Sequence, residues 1–315
     1  MPVMSNSRGA AKALRTFLAG DEIIVAPGCF NAMGARMIER TGFSAVYVSG
    51  YGISVSHIGR PDVGLTTLTE VTDVASKVAS SVKVPVICDA DTGYGNAINV
   101  MRTVEEFIKT GVAGIHLEDQ IAPKRCGHVA GKQVIPIEEA AGKIRAAARV
   151  RDEMDADFVL IARCDARGVA GGSLEDAINR CQAYRAAGAD MAFPEGLLSR
   201  EEIQQVCEAV PGSILYNRTG VSPNLSAAEL QEIGVDLVID PGGAMRAAAQ
   251  AMWDYYSAFG EEDNGLDERL KAANKAHPLA DFHSFFGFGE IREFEAEFLP
   301  EEEAAKYDGA VGFQP

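Results

Sequence analysis

The middle of the chain reads VPVICDAD (84–91), then TVEEFIKTG (103–111), then AGIHLED (113–119). The first and last segments are short and apolar and end in carboxylates, which is typical of buried strands. The middle segment has a helical period and ends on Gly111, a residue favoured just after a helix. Two strands joined through a helix pair in parallel, so this stretch predicts a β-α-β unit.

The same unit recurs along the chain. Six further strand-like segments are EIIVAPG (22–28), AVYVSG (45–50), FVLIARCD (158–165), DMAFPE (190–195), SILYN (213–217) and VDLVID (235–240). Helical patterns separate them, and several end on glycine, at Gly42, Gly188 and Gly234. Eight strands alternating with helices favour a (β/α)8 TIM barrel over an open sheet, and no glycine-rich dinucleotide motif opens a helix. We predict a catalytic barrel over residues 1–260 and a C-terminal helical extension over residues 261–315.

Composition excludes several classes of function. The 315 residues are 47% hydrophobic and carry a formal net charge of −16, which argues against a nucleic-acid partner. No apolar run approaches the ~20 residues that cross a bilayer, and no secretory signal opens the chain, so we expect no membrane partner. Six cysteines without disulfide-type or zinc-type spacing suggest a reducing compartment. We therefore expect a cytoplasmic protein.

The active sites of such barrels lie at the C-terminal ends of the strands. The polar residues predicted there are Ser49, Asp89, Asp91, Glu118, Asp119, Arg163, Asp165, Glu195, Asn217 and Asp240. Some polarity is expected wherever a chain leaves the core. Arg163 and Glu195, however, directly adjoin apolar strands, where an unpaired charge is costly. We expect these two side chains to pair with each other or with a ligand.

The segment KRCGH (124–128) places one thiol among three potential cations. Cationic neighbours favour a thiolate, and a thiol poised near neutral pH both gives and takes a proton. A surface loop that happens to hold a cysteine is the alternative. Because the segment follows a strand that ends in Glu118 and Asp119, we favour catalysis. We predict that Cys126 exchanges a proton and that Lys124, Arg125 and His128 keep it poised.

Eight motifs together carry a resemblance to a known family: YVSGYG (47–52), GRPDVG (59–64), DADTGYGN (89–96), LEDQ (117–120), KRCGH (124–128), ARCDA (162–166), FPEG (193–196) and YN (216–217). With them the chain resembles the isocitrate lyase and phosphoenolpyruvate mutase superfamily over nearly its whole length. KRCGH is similar to the lyase branch, whose members carry this cysteine. The resemblance implies a carbon–carbon lyase acting on oxo acids.

The resemblance also implies a divalent ion, usually Mg²⁺, with Mn²⁺ as the second choice. Asp91 matches the carboxylate nearest the ion, and Asp89 and Glu118 match acids that hold its water shell. A hydrated cation bound by a few carboxylates and by substrate oxygens is what Mg²⁺ prefers. Among the catalytic residues, Tyr47 matches a tyrosine that handles the hydroxyl proton of the substrate.

Further positions match residues that bind the substrate. The backbone N–H groups of Ser49, Gly50 and Tyr51 match a cradle for the carboxylate of the 2-oxo acid. Arg163 matches a residue that binds the oxo-acid half, and Asp62 matches an acid on a mobile loop over the site. The substrate-binding set is completed by Glu195 and Asn217, which match contacts to the other half, and by Lys124, Gly127 and Thr219.

The implied substrate is a small anionic 2-hydroxy dicarboxylate, split between C2 and C3 into pyruvate or another 2-oxo acid and a carboxylic acid. The C-terminal stretch 282–300 is similar to enzymes that cleave 2,3-dimethylmalate and related alkylmalates. Cleavage of 2-methylisocitrate to pyruvate and succinate is the alternative, and oxaloacetate decarboxylation is a further one. Cys164 and the stretch 217–223 depart from the family pattern and bear on this choice. A non-catalytic barrel would leave Asp89, Asp91 and Cys126 without a role.

The region after the barrel contains many aromatic residues. The phenylalanines stand at 282, 285, 286, 288, 294 and 298, which is a large apolar surface for a free tail. The family resemblance implies a C-terminal helix exchanged between the subunits of a homotetramer, a low-cost route to oligomers. Packing back onto the barrel of the same chain is the alternative.

Overall fold

The computed structural model describes residues 9–262, 275–307 and 309–312. The chain divides into two compact units, one ending at Arg246 and one beginning at Ala247. The first unit contains all eight strands of the predicted barrel. The division falls inside a helix, whereas we predicted a boundary after residue 260. The acidic stretch EEDNGLDE (261–268), which follows the predicted boundary, lies largely outside the described residues.

The eight strands form a closed parallel barrel, which confirms the predicted TIM-barrel fold. Each strand pairs with the next along the chain, and the last pairs with the first, for example Ile24 with Leu237. Their bounds are β1 Ile24–Cys29, β2 Val46–Val48, β3 Val86–Asp89, β4 Gly114–Glu118, β5 Val159–Cys164, β6 Met191–Pro194, β7 Ser213–Asn217 and β8 Leu237–Asp240. The closed ladder aligns the carboxyl ends of all eight strands at one end of the barrel.

The helices surround this barrel. Their bounds are α1 Ala10–Leu18, α2 Ala32–Arg40, α3 Gly50–His57, α4 Leu68–Ser81, α5 Ala97–Thr110, α6 Ile137–Met154, α7 Leu174–Ala186, α8 Arg200–Ala209, α9 Ala227–Ile233 and α10 Gly243–Glu262. Gly111 and Gly234 follow α5 and α9 with φ of 84° and 102°, as predicted for helix ends. The sequence did not predict α1 or α3. It also placed the start of α5 too late, because Asn96 caps this helix by accepting a hydrogen bond from Ile98 N.

The core has two layers, one inside the barrel and one between the strands and the helices. Tyr47, Ile87 and Phe193 belong to the inner layer. Phe107 on α5 and Ile144 on α6 belong to the outer layer. All six residues of β5 are buried, because a parallel strand of a TIM barrel is covered on both faces. This packing holds the strand ends in fixed positions.

The second compact unit is helical in its described part. It contains most of α10 and the helices Phe282–Phe285, Phe288–Phe298 and Glu301–Ala304. Several of its aromatic side chains are exposed, and Trp253 and Tyr256 on α10 retain 72% and 69% of their accessible surface. Among the described residues, no helix combines the length and the apolar character needed to cross a membrane.

Candidate active site

A cavity of about 300 Å³ opens at the carboxyl ends of the strands. Twelve of the predicted site residues line it: Tyr47, Ser49, Tyr51, Asp62, Asp89, Cys126, Gly127, His128, Arg163, Glu195, Asn217 and Thr219. Gly50, Asp91, Glu118 and Lys124 do not line it. They are bonded to lining residues or lie next to them in the chain. The strand ends thus bring together residues that lie up to 172 positions apart, from Tyr47 to Thr219.

Helix α3 begins at the cavity, next to the end of β2. Ser49 caps it by accepting a hydrogen bond from Gly52 N at 3.1 Å. The first N–H groups of a helix, here those of Gly50 and Tyr51, have no acceptor within the helix and attract anions. A Cβ at Gly50 would lie 2.6 Å from Asp89 Oδ2, so only glycine allows this close approach. The predicted carboxylate cradle therefore takes the form of a helix N-terminus.

Three carboxylates, Asp89, Asp91 and Glu118, lie at the ends of β3 and β4, and all three are buried. Lys124 Nζ lies 2.8 Å from Asp91 Oδ1 and 2.7 Å from Asp62 Oδ1. Neither oxygen of Glu118 has a hydrogen-bond donor among the described residues, and Arg163 Nη1 lies 3.3 Å from Glu118 Oε2. Buried carboxylate oxygens without donors are suited to a cation or its water shell.

Negative charge exceeds positive charge in this region. Its buried carboxylates are Asp62, Asp89, Asp91, Glu118, Asp119, Asp165 and Glu195, and its buried cations are Lys124, Lys132, Lys143, Arg163 and Arg180. Burial raises the pKa of Asp91 to about 6, although Lys124 opposes the change. No three acidic, histidine or cysteine side chains of the described residues converge closely enough to ligate a metal directly. The set fits a largely hydrated divalent ion, with Asp91, Asp89 and Glu118 as its holders.

Cys126 lies half-buried at the cavity wall. Burial raises the pKa of its thiol, and the Asp62 carboxylate adds to the rise. The neighbouring cations Arg163 and Lys124 lower this pKa, as expected of cations, but burial outweighs them, so the thiolate is not favoured. The thiol is therefore protonated at neutral pH and is suited to donate a proton.

Arg125 does not reach the cavity, and its side chain is exposed. Its backbone is fixed instead by Gln120, whose Oε1 accepts from Arg125 N at 3.0 Å and whose Nε2 donates to Arg125 O at 2.9 Å. The side chain of Arg125 therefore has no contact with the cavity through which it could take part in catalysis. The alternation of side chains in the loop turns Lys124 inward and Arg125 outward.

Arg163 is the most heavily paired cation of the site. Its Nε and Nη2 donate to Asp165 at 2.9 and 3.0 Å, and Nη2 lies 3.8 Å from Glu195 Oε2. The predicted pairing with Glu195 is thus present but longer than the pairing with Asp165. Lys132 Nζ bonds Asp165 at 2.9 Å and also donates to the carbonyl of Gly127. This network anchors the segment 124–128 to the end of β5.

His128 extends from the same segment toward β7. Its Nε2 lies 2.9 Å from Asn217 Nδ2, so Nε2 accepts this hydrogen bond. Asn217 Nδ2 also donates to Glu195 Oε2 at 2.9 Å, and Thr219 Oγ1 donates to Asn217 Oδ1 at 2.8 Å. Burial lowers the pKa of His128, so the imidazole is neutral at pH 7. These four side chains form one wall of the cavity, and two of them, Glu195 and Asn217, are the residues predicted to contact the second half of the substrate.

Tyr47 lies at the floor of the cavity. Its hydroxyl is 2.7 Å from Nε2 of His116, and the two rings stack with centroids 5.8 Å apart. Burial raises the pKa of Tyr47 well above its usual range and lowers the pKa of His116 to about 4, so both are neutral at pH 7. His116 Nδ1 is buried without a partner in the described part of the chain.

Sequence reasoning missed several residues of the site, among them His116, Lys132, Met245 and Arg246. The signal for His116 was present, because it is the one imidazole within an apolar strand segment. Lys132 lies in a loop without a periodic pattern. Met245 and Arg246 line the cavity from the start of α10, where the sequence shows only a helix.

Comparison with known sequences places the chain in a family. A family model described as phosphoenolpyruvate phosphomutase matches residues 14–259. The chain is 42% identical to a 2,3-dimethylmalate lyase of Eubacterium barkeri over 289 residues, covering 90% of this chain and 96% of the relative. It is 42% identical to a chloroplastic carboxyvinyl-carboxyphosphonate phosphorylmutase of Arabidopsis thaliana, covering 84% and 79%. It is also 39% identical to a 2-methylisocitrate lyase of Aeropyrum pernix, covering 90% and 89%.

Solved structures give the same result. A 2,3-dimethylmalate lyase matches with a TM-score of 0.84 at 36% identity, covering 96% of this chain and 99% of that one. An oxaloacetate acetylhydrolase bound to 3,3-difluorooxalacetate matches at 0.84 and 35%, covering 92% and 97%. A phosphonopyruvate hydrolase in complex with oxalate and Mg²⁺ matches at 0.80 and 30%, covering 92% and 99%. The chain belongs to the phosphoenolpyruvate mutase/isocitrate lyase superfamily and is an enzyme of its carbon–carbon lyase branch.

Proposed function

We propose that this enzyme cleaves the C2–C3 bond of an alkylmalate, such as 2,3-dimethylmalate, to pyruvate or another 2-oxo acid and a carboxylic acid. One observation carries the proposal: a protonated thiol, Cys126, lines the same cavity as Asp89, one of the three clustered carboxylates, and as Ser49 and Tyr51 at the N-terminus of α3. A proton donor facing an anion site is what this cleavage requires. The similarity to a 2,3-dimethylmalate lyase supports the choice of substrate.

Cleavage begins with loss of the proton from the C2 hydroxyl. The electron pair of the C2–C3 bond then stays on C3, and C2 becomes the carbonyl of the 2-oxo acid. We assign the hydroxyl proton of the substrate to Tyr47. As the Tyr47 phenol accepts this proton, it passes its own proton to Nε2 of His116, 2.7 Å away. The cradle at Gly50 and Tyr51 holds the carboxylate of the departing oxo acid.

The carbanion at C3 lies beside a carboxylate and needs a proton at once. We assign this proton to Cys126 Sγ, because the raised pKa keeps it in place until the carbanion forms. The thiolate left behind regains a proton before the next turnover, which balances the one lost from the hydroxyl. Asn217 and Glu195 orient the second half of the substrate from the opposite wall.

We propose a divalent ion, Mg²⁺ by preference, with Mn²⁺ as a substitute. When bound, it supplies Lewis acidity to the hydroxyl and carboxylate oxygens of the oxo-acid half. Asp91 would hold it most closely, and Asp89 and Glu118 would hold its water. The excess of buried carboxylates over buried cations supports this assignment, as does the related hydrolase whose structure contains Mg²⁺.

Cleavage of 2-methylisocitrate is the second candidate, and Arg246 favours it. This arginine lines the cavity, and no ion pair occupies its guanidinium among the described residues. It would suit the third carboxylate of such a substrate. Oxaloacetate is a third candidate because of the similarity to an oxaloacetate acetylhydrolase.

A substrate panel tests these proposals. The purified enzyme is assayed with Mg²⁺ for release of 2-oxo acid from 2,3-dimethylmalate, 2-methylisocitrate, isocitrate and oxaloacetate. We expect the highest kcat/KM with the alkylmalate. Turnover confined to 2-methylisocitrate would move the assignment to the second candidate. Turnover of oxaloacetate alone, unaffected by Cys126→Ser, would overturn the lyase mechanism.

We also propose a homotetramer that works in a reducing compartment such as the cytoplasm. The exposed aromatic side chains on α10 and on Phe288–Phe298 support an assembly, because they form apolar surface that solvent does not favour. All six cysteines are free thiols, which agrees with a reducing environment. The proposed exchange of a C-terminal helix between subunits is one way to cover this surface.

A further inference from the structure

The turn after β3 carries the carboxylate that we assign nearest to the divalent ion. Two of its residues with side chains have positive φ, 47° at Asp91 and 56° at Tyr94. A residue in this region costs about 1–3 kcal/mol and persists only where the surroundings hold it. The position of Asp91 therefore depends on contacts from outside the turn.

Besides the ion pair of Asp91 with Lys124, three carbonyl groups of the turn accept hydrogen bonds from outside it. Glu118 N donates to Asp91 O at 2.9 Å, and Thr103 Oγ1 on α5 donates to Gly93 O at 3.0 Å. The third comes from α6, where Lys143 Nζ donates to the carbonyl of Thr92 at 3.0 Å. Lys143 is buried, with 7% of its surface exposed. A buried ammonium with a single backbone acceptor is costly, which calls for a second role.

The same ammonium faces Glu118 from behind the active site. Lys143 and Glu118 both line a cavity of about 10 Å³, room for one water molecule. Both oxygens of Glu118 lack a hydrogen-bond donor among the described residues, and Lys143 has two N–H groups left after its bond to Thr92. Burial lowers the pKa of Lys143, whereas Glu139 and Glu118 act against this change. The cation thus stands beside two of the three proposed ion holders.

We propose that Lys143 is a positioning residue for the divalent ion, acting from outside the cavity that binds substrate. It fixes the turn of Asp91 through the Thr92 carbonyl and supports the Glu118 carboxylate across the small cavity. It contacts neither substrate nor ion. The inference rests on the proposed divalent-ion dependence and adds a residue from the helical layer to that site.

The test measures ion affinity without substrate. Binding of Mn²⁺ is followed by electron paramagnetic resonance for the unmodified enzyme, Lys143→Met and Lys143→Arg. Methionine removes the charge and the donors at similar length, and we expect it to weaken binding by about 10–100-fold, as other outer-shell changes do. Arginine keeps the charge and the donors, so the Mn²⁺ dissociation constant of Lys143→Arg should stay within about threefold of that of the unmodified enzyme. At saturating ion, kcat of Lys143→Met should return close to that of the unmodified enzyme.

Lys77→Met on the exposed side of α4 is the matched control and should leave ion binding unchanged. Equal affinity in Lys143→Met and the unmodified enzyme would overturn the inference, and so would equal weakening in both Lys143 variants, which would indicate packing alone. Should Lys143→Met not fold, Lys143→Gln takes its place with the same expected order. An unmodified enzyme that binds no divalent ion would instead refute the metal assignment of the proposed function.

Discussion

At the scale of single residues, the thiol of Cys126 differs most from what the sequence predicted, because burial keeps it protonated. Its sequence neighbours are cationic, but burial outweighs their effect and keeps the pKa of the thiol raised. A protonated thiol cannot act as a nucleophile without first losing its proton. It can act directly as an acid, which is the step that the proposed cleavage needs.

The first prediction is that Cys126→Ser lowers kcat by about 10²-fold or more with little change in KM, because one general acid is lost while binding contacts remain. Steady-state kinetics on the preferred substrate measure the effect. Cys207→Ser, a half-buried thiol that does not line the cavity, is the control and should behave as the unmodified enzyme. A Cys126→Ser enzyme with nearly full kcat would contradict the assignment.

The second prediction concerns pH. Asp91 must be ionised to hold a cation, and burial raises its pKa to about 6 in the ion-free enzyme. Protons therefore compete with the ion, so the dissociation constant should be flat above about pH 7 and rise as pH falls through 6. The limit is about tenfold per pH unit for one proton. Calorimetric titration with Mg²⁺ between pH 5 and 8 checks this, and a constant affinity over that range would refute it.

Several of these residues were predictable because their position follows from chain order alone. A carboxylate that ends a parallel strand must lie at the catalytic end of a TIM barrel, so Asp89, Asp91 and Glu118 were found. Whether a side chain in a loop points inward or outward follows no such rule, so the sequence could not show that Arg125 is exposed. It could not show either the burial that raises the pKa of Cys126, which only the folded chain determines.

At the scale of elements, the barrel was predictable and some of its helices were not. Strands are recognised in the sequence as short apolar runs with polar ends. Eight of them alternating with helices indicate a closed barrel. Helix α3 begins with the sequence Gly50-Tyr51-Gly52. Because glycine has a low helix propensity, the sequence did not predict a helix there. Tertiary context overrides this, because the Ser49 cap and the close contact with Asp89 require small residues there.

The third prediction belongs to the loop between α3 and α4. Asp62 in this loop is buried against Lys124, and its carbonyl accepts a hydrogen bond from Cys126 N at 3.2 Å. The loop therefore rests directly on the segment that carries the acid, and glycines at 59 and 64 allow it to move. We expect slower amide hydrogen exchange over residues 57–66 when Mg²⁺ and pyruvate are bound. Helix α4 serves as the internal control, and equal exchange of the loop in both states would refute closure.

At the scale of the whole molecule, the exposed aromatic residues are the surface that we propose for association between chains. Trp253, Tyr256 and Phe259 on α10 are spaced three apart and so lie on the same side of the helix. All three are exposed. The sequence predicted association from aromatic content, but the number of subunits depends on angles between surfaces, which composition does not contain.

The fourth prediction is that the purified enzyme has the mass of four chains, and that the double variant Trp253→Glu/Tyr256→Glu has a lower mass. Charged side chains on this stripe would resist burial against another chain. Size-exclusion chromatography with light scattering measures both, and Trp253→Phe/Tyr256→Phe is the control that should keep the original mass. Unchanged mass in the glutamate variant would show that this face is not an interface.

One contact inside the site sets limits on redesign of the enzyme. A Cβ at Gly127 would collide with the guanidinium of Arg163. A side chain there would therefore displace the segment 124–128, which carries Cys126, and would also displace Arg163 on β5. In a mutational library this position should therefore tolerate almost nothing, whatever substrate is supplied. Met245 and Val129 line the same cavity, and we assign neither a part in the reaction. Variants with a changed substrate range should therefore be sought by substituting Met245 and Val129, while Gly127 and Tyr47 at the floor of the cavity are kept.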